Sequence, residues 1–306
     1  MCEIRTALND LGKADDPFER SGALEALAAT VVWGLFRILP VDVASALGGK
    51  FARLVGPRIA ISNRARKNIE RAFPGIEDEE AEKIIADMWE NLGRTVAEFP
   101  HIGAFTFEGA NPRVEVDGLE HLIDFRDDGK PGFYLSAHLA NWELAPLTAH
   151  VYDVPSAFVY REANNRLIEK FYMAGRKLYR DMMIPKGREG ARQMLKALWG
   201  GKHVGIMLDQ KMNDGMPVPF FGIDAMTATA LGDLAVTLKC PVIPARVIRE
   251  NGARFRVEVS APLYAEDTGN KTADARALTV RANNIIEGWV REKPGQWLWL
   301  HNRWPG

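Results

Sequence analysis

From Arg113 to the end of the chain, short apolar runs alternate with stretches whose apolar residues recur every three or four positions. The runs at 114–116, 133–137, 157–160, 183–184, 204–208, 242–248 and 254–259 read as strands. The stretches at 119–125, 142–152, 166–181, 191–198, 227–238 and 273–292 read as helices. Alternation of this kind predicts an α/β fold: a mostly parallel central sheet flanked by helices on both faces. Asn251-Gly252, between the last two runs, predicts an antiparallel hairpin at one edge of that sheet. Upstream the period is helical throughout, with apolar spacing at 44–55, 59–73 and 81–99 broken by Pro40, Pro57 and Pro74-Gly75. The expected division is a tail at 1–22, a helical region at 23–110 and an α/β core at 111–306, the last two forming one continuous unit.

Charge and cysteine content exclude several functions. A formal net charge of -1 argues against a general nucleic-acid binder, which carries a strong basic excess. Cys2 and Cys240 form no CxxC pair, which excludes a disulfide scaffold and a cysteine-rich zinc site and fits a reducing compartment. The first ten residues carry Glu3, Arg5 and Asp10 and lack the apolar core of a cleavable signal peptide. The apolar segment 26–36 is too short to span a bilayer, which takes about 20 residues. It suits either a buried helix or a half-inserted interfacial one, with Arg37 snorkelling and Trp33 at headgroup level.

Three strand ends carry polar residues. The run 132–137 delivers His138, with Glu143 following where a helical pattern begins. The next run ends in Tyr160-Arg161, and a later one ends in Asp209-Gln210. In a parallel sheet all three share the rim where such folds bind ligands. A histidine oriented by a carboxylate is the minimum equipment for removing a proton from a hydroxyl. The bare spacing is weak: 6 His and 40 Asp+Glu in 306 residues give roughly one such His-to-acid pair by chance. The convergence of three polar strand ends therefore carries more weight than the spacing.

The motif His138-Leu-Ala-Asn-Trp-Glu143 resembles the HX4D/E motif of glycerolipid acyltransferases, and within them the late acyltransferases of lipid A biosynthesis. The resemblance extends through Val159-Tyr160-Arg161, Asn164-Asn165, Arg176, Leu208-Asp209-Gln210, the block Val218-Pro219-Phe220-Phe221-Gly222 and the tail from Gln296 to His301. Upstream, Arg64 to Asn68 and Ala72-Phe73-Pro74 are similar to the family's N-terminal segment. It implies a glycerolipid acyltransferase-like fold and transfer of a fatty acyl chain from acyl carrier protein to a hydroxyl of a lipid A precursor. The place would be the cytoplasmic face of a bacterial inner membrane, among its lipids, with no cofactor and no metal. His138 would be the general base and Glu143 would accept a hydrogen bond from its other ring nitrogen. Because five residues on one continuous helix face different ways, this requires His138 to precede the helix, with Asn141 as its N-cap.

Arg161 would stabilise the tetrahedral oxyanion, hold a substrate phosphate or pair with an acid such as Asp209. Asp209 would act directly in catalysis, orient Arg161 or bind a sugar headgroup. Asn164, Asn165 and Arg176 would position substrate or cap helices, and Gln210 would bind substrate. The basic run Arg64, Arg66, Lys67 and Arg71 reads as a solvated face, or as a surface for anionic lipid or for the acidic carrier. Phe220, Phe221, Met207, Met212 and Met216 suit an acyl-chain pocket or plain core, and Trp297, Trp299 and Trp304 suit a membrane-facing belt or the underside of the sheet.

Three other readings remain open. A metal-dependent hydrolase is disfavoured because the sequence has no HxH or HExxH and the three strand ends offer no second histidine. A non-catalytic membrane-associated protein would leave the polar convergence without a purpose. A lysophospholipid or glycolipid acyltransferase of the phosphatidylinositol mannoside type, using acyl-coenzyme A, keeps the chemistry and changes the substrates.

Overall fold

The computed structural model describes residues 29–163 and 165–304. The strands are β1 (Val114–Asp117), β2 (Gly132–Ser136), β3 (Ser156–Tyr160), β4 (Met183–Pro185), β5 (His203–Met207), β6 (Met216–Phe220), β7 (Ile223–Thr227), β8 (Val242–Asn251) and β9 (Arg254–Val259). Seven of them form one sheet in the order β1-β9-β8-β2-β5-β3-β4, and β6 and β7 pair separately. All neighbours in the large sheet run parallel except β8 and β9. The expected α/β class with a mostly parallel sheet is therefore observed.

Helices cover both faces: α1 (29–38), α2 (Val41–Val55), α3 (Ser62–Ala72), α4 (Asp78–Glu98), α5 (Leu119–Asp127), α6 (Leu144–Val151), α7 (Arg166–Gly175), α8 (Arg188–Trp199), α9 (Ala230–Leu238) and α10 (Lys271–Glu292). Ile69 of α3, Ile85 of α4, Met194 of α8, Leu231 of α9 and Leu278 of α10 pack with Leu135 and Val204 on one side. Leu122 of α5 and Leu144 and Leu147 of α6 pack with Tyr134, Phe158 and Val257 on the other. Every residue of β2 is buried, as a central strand covered on both faces requires. Each large apolar side chain so buried contributes about 1.5–3 kcal/mol. Gly205 sits under the ring of Phe158, where an added Cβ would come within 2.1 Å of it. Its bareness lets Tyr134 and Phe158 stack across β5 with centroids 5.7 Å apart.

The β8–β9 hairpin does not lie at an edge, contrary to the sequence expectation. β8 is buried along Val242–Ile248 and pairs with β2 on one side and β9 on the other. β1 then pairs with β9, Val114 opposite Phe255 and Val116 opposite Val257, so the edges are β1 and β4. A strand this apolar needs a partner on both sides, and an early segment of the chain supplies the second cover for the hairpin.

The N-terminal helices differ from the sheet. Gly48 of α2 and Gly93 of α4 meet backbone to backbone, since a Cβ on Gly93 would lie 2.3 Å from the Gly48 carbonyl oxygen. That close crossing fixes α2 on α4, while the far side of α2 leaves Val43, Leu47, Phe51 and Leu54 exposed. On α1, Trp33 packs against Phe99 and Phe171, each at a centroid distance of 5.7 Å. Val31, Val32, Leu35 and Ile38 of the same helix are exposed. The buried-helix reading of 26–36 is thus corrected from 29 onward, whereas 26–28 and the tail 1–22 lie outside the described residues. No helix among the described residues is long and apolar enough to cross a membrane.

Candidate active site

Parallel pairing of β2 with β5 sets Ser136 opposite Met207, so the two chains leave the sheet side by side. Residues 138 and 209 therefore meet just beyond the strand ends although 71 positions separate them. The Asp209 carboxylate accepts from the His138 backbone N–H at 2.8 Å and faces the ring Nδ1 at 2.9 Å. The Trp297 indole N–H donates to the same carboxylate at 2.8 Å. Asp209 is fully buried. Burial alone would raise its pKa, but the facing His138 charge and these hydrogen bonds outweigh burial and hold it well below the usual carboxylate range. An ionised Asp209 fixes the proton of His138 on Nδ1 and leaves Nε2 as a free base.

Glu143, the expected orienting acid, is elsewhere. Its carboxylate accepts from Arg176 Nε at 2.9 Å, Arg176 Nη2 at 2.6 Å and the Tyr179 hydroxyl at 2.9 Å. Helix α6 begins at Leu144, later than the pattern suggested, and Asn141 does not cap it with its side chain. Asn141 instead donates to Glu98 at 2.9 Å. The turn between His138 and α6 holds Ala140 at φ 48°, a left-handed conformation uncommon outside glycine. Ala140 is tied by its N–H to the Gln296 carbonyl at 2.9 Å and by its carbonyl to Asn91 and Thr95, each at 3.1 Å. Beyond this turn Glu143 faces Arg176 and Tyr179, just past α7, while it still lines the cavity onto which His138 opens.

Arg176 is buried among the rings of Tyr160, Tyr172 and Phe99, at 5.0, 5.6 and 5.9 Å. Burial works against its charge, yet Glu143 prevails and raises its pKa. Its Nη1 is buried without a hydrogen-bond partner. Arg161 lies beyond β3 and lines the same cavity as His138, with its side chain exposed at the rim. Asn165 contributes a backbone carbonyl that accepts from the Glu169 N–H at 3.0 Å, next to the start of α7. Asn164 lies outside the described residues.

Gln210 stands between two histidines, its Nε2 donating to His138 Nε2 at 3.1 Å and to His301 Nε2 at 2.9 Å. The strand ends therefore do have a second histidine, and His301 is the site residue that the sequence reading passed over. The chain end reaches this position because Trp297 bridges Leu139, the Leu298 N–H donates to the His138 carbonyl at 3.2 Å and buried Arg303 binds Thr227 Oγ1 at 2.9 Å. Burial, then the neighbouring His138 charge, pushes His301 down to about 4, so it is neutral near pH 7. Among the described residues no three His, Cys, Asp or Glu side chains form a group that could hold a metal. Trp297, Trp299 and Trp304 are buried in the core with Phe220 and Phe221, so the tryptophans form no membrane belt and the phenylalanines line no acyl pocket.

His138 opens onto a cavity of about 1060 Å³. Its walls include Trp33 and Phe36 of α1, Tyr134 and Phe158 of the sheet, Ala149 of α6 and Met194 of α8. Met207 and Met212 also line it, whereas Met216 does not. A largely apolar space of this size with His138 in its wall suits a chain of methylenes.

Residues 21–305 match the family described as bacterial lipid A biosynthesis acyltransferase. The lipid A biosynthesis palmitoleoyltransferase of Escherichia coli strain K12 is 27% identical over 280 residues, covering 89% of this chain and 88% of that protein. The lauroyltransferase of the same organism is 25% identical over 287 residues, covering 90% of each. Among solved structures, the 1-acyl-sn-glycerophosphate acyltransferase of Thermotoga maritima aligns at a TM-score of 0.40 and 13% identity, covering 84% of this chain and 98% of that one. With the match running over nearly its whole length, the chain belongs to the bacterial lipid A biosynthesis acyltransferases.

Proposed function

We propose that the protein moves a fatty acyl chain from the thioester of an acyl carrier protein to a hydroxyl of a lipid A precursor, with His138 as general base and Asp209 as the acid that orients it. The observation that carries this reading is the buried Asp209 on one nitrogen of His138 with the other nitrogen turned toward the cavity rim. The acceptor hydroxyl gives its proton to Nε2 as its oxygen bonds to the thioester carbon. The tetrahedral intermediate then expels the thiolate, which takes that proton back from the imidazolium. Asp209 stabilises the imidazolium while it exists and stays ionised. Arg161, at the rim of the same cavity, is one of the cations that would serve the oxyanion or a substrate phosphate.

The reading includes attachment to the cytoplasmic face of a bacterial inner membrane. Exposed Leu35 and Ile38 on α1 and Leu47, Phe51 and Leu54 on α2 support it, because such faces suit the headgroup boundary of a bilayer. α1 also walls the cavity through Trp33 and Phe36, which supports a lipid surface lying beside the acyl site. For docking the acidic carrier, Arg64 and Lys67 of α3 are exposed, whereas Arg66 is engaged by Glu82 at 2.5 Å. The test is transfer of a labelled acyl chain from the carrier to a lipid A precursor by purified protein, read by mass spectrometry. Wild type should transfer and His138→Ala should not. Full activity in folded His138→Ala, or faster transfer from coenzyme A than from the carrier, would overturn the corresponding part.

A further inference from the structure

A second, smaller pocket of about 250 Å³ lies on the other side of Gln210 from the acyl cavity, lined by Gln210, Lys211, Asn213, His301 and Asn302. Gln210, Lys211 and His301 belong to the walls of both spaces, so they form the partition between them. One side of that partition is largely hydrocarbon and the other is amides, an imidazole and an ammonium. His138 Nε2 touches the partition through Gln210, and the base therefore stands at the seam between an apolar and a polar compartment.

We infer that this polar pocket holds the phosphorylated saccharide headgroup of the acceptor lipid; the inference rests on the acyl-transfer reading and adds where the acceptor lies. The side chains match that ligand class. Asn213 and Asn302 offer paired donors and acceptors to ring hydroxyls. His301 bonds Gln210 through Nε2, and a neutral imidazole serves a hydroxyl without demanding a counter-ion. Lys211 supplies a cation for phosphate. Among the described residues no carboxylate lines the pocket to oppose an anion. A headgroup seated here brings an acceptor hydroxyl to His138 Nε2 in place of the Gln210 amide, while the acyl donor occupies the other side. Gln210 keeps its bond to His301 during that exchange.

The test has two arms on the full chain. In the first, Asn213→Ala and Asn302→Ala, at residues that line the polar pocket and not the acyl cavity, are assayed for acyl transfer with acceptor and donor varied separately. Each substitution should raise the acceptor KM about tenfold and leave the donor KM and the kcat at saturating acceptor unchanged. In the second, binding of a phosphorylated glucosamine disaccharide without acyl chains is followed through the His301 ring signals by NMR, with glycerol 3-phosphate and inorganic phosphate as comparators. The disaccharide should shift those signals, bind about tenfold more weakly to Lys211→Gln, and outcompete both comparators. An unchanged acceptor KM, a rise in donor KM instead, or equal binding of all three probes would overturn the assignment. Disaccharide binding by a wild type that transfers no acyl group would leave the pocket standing and remove the acyl-transfer reading.

Discussion

Two buried carboxylates near His138 have opposite surroundings. Glu143 faces Arg176, a group that keeps its charge at every pH a protein survives, and the Tyr179 hydroxyl. Asp209 faces His138, an imidazole with a second ring nitrogen able to take a proton. The first arrangement is closed: charge meets charge and only Arg176 Nη1 is left over. The second is open, because it fixes one ring nitrogen and leaves the other able to take a proton. A carboxylate therefore becomes part of the chemistry through the partner it is given, and closeness in sequence to the base does not decide which one that is.

The largest expected effect strikes the open pair. Asp209→Asn removes the charge that fixes the tautomer of His138 and stabilises its imidazolium, and kcat should fall roughly 10³–10⁴-fold. Asparagine retains an acceptor for the His138 N–H, so the far-ultraviolet circular dichroism and the melting midpoint should stay close to wild type. The closed pair should break differently. Glu143→Gln leaves the Arg176 charge buried without its counter-ion and should cost about 3–5 kcal/mol in denaturant unfolding. Adding Arg176→Met should restore most of that stability, since it removes the buried charge left without a counter-ion. A double variant as unstable as the single one would mean that the pair does more than neutralise itself.

The contrast was only half legible in the sequence. The three strand ends and their common rim follow from the alternation of runs, and the structure brings His138, Arg161 and Asp209 to that rim as expected. What the sequence could not supply was the strand order. β2 beside β5 is a tertiary fact, and it gives His138 a partner far along the chain in place of the nearby Glu143. Beyond the left-handed Ala140 and the late start of α6, Glu143 faces Arg176 and Tyr179. The β6–β7 hairpin was also unreadable as strand, because Pro217 and Pro219 look like breaks. Both prolines point outward while Val218 and Phe220 are buried, so the alternation was present beneath the punctuation. His301 had a weaker signal still: its proximity depends on the buried Arg303 anchoring the chain end.

Two smaller effects sharpen the contrast between paired and unpaired groups. His203 is buried against Phe125 at a ring distance of 3.9 Å, and burial pushes it down to about 4. An unfolded histidine titrates near 6.5, so between these values the unfolded chain binds a proton that the folded chain refuses, and acid destabilises the fold. His203→Phe should remove up to about 2 kcal/mol of the stability lost between pH 7 and pH 5, measured by urea unfolding at both. A variant with the wild-type pH dependence would show that His203 is not held neutral. The smallest effect is expected at Gln210→Ala, which frees both histidines without removing the base and should lower kcat by roughly tenfold.

The most direct test compares the two acids in one assay: kcat for acyl transfer from the carrier thioester by Asp209→Asn and by the Glu143→Gln/Arg176→Met double variant, each verified as folded. A His138–Asp209 dyad predicts a loss of about 10³-fold or more for the first and a rate within about tenfold of wild type for the second. A double variant that is inactive beside an active Asp209→Asn would contradict it and return the orienting role to Glu143.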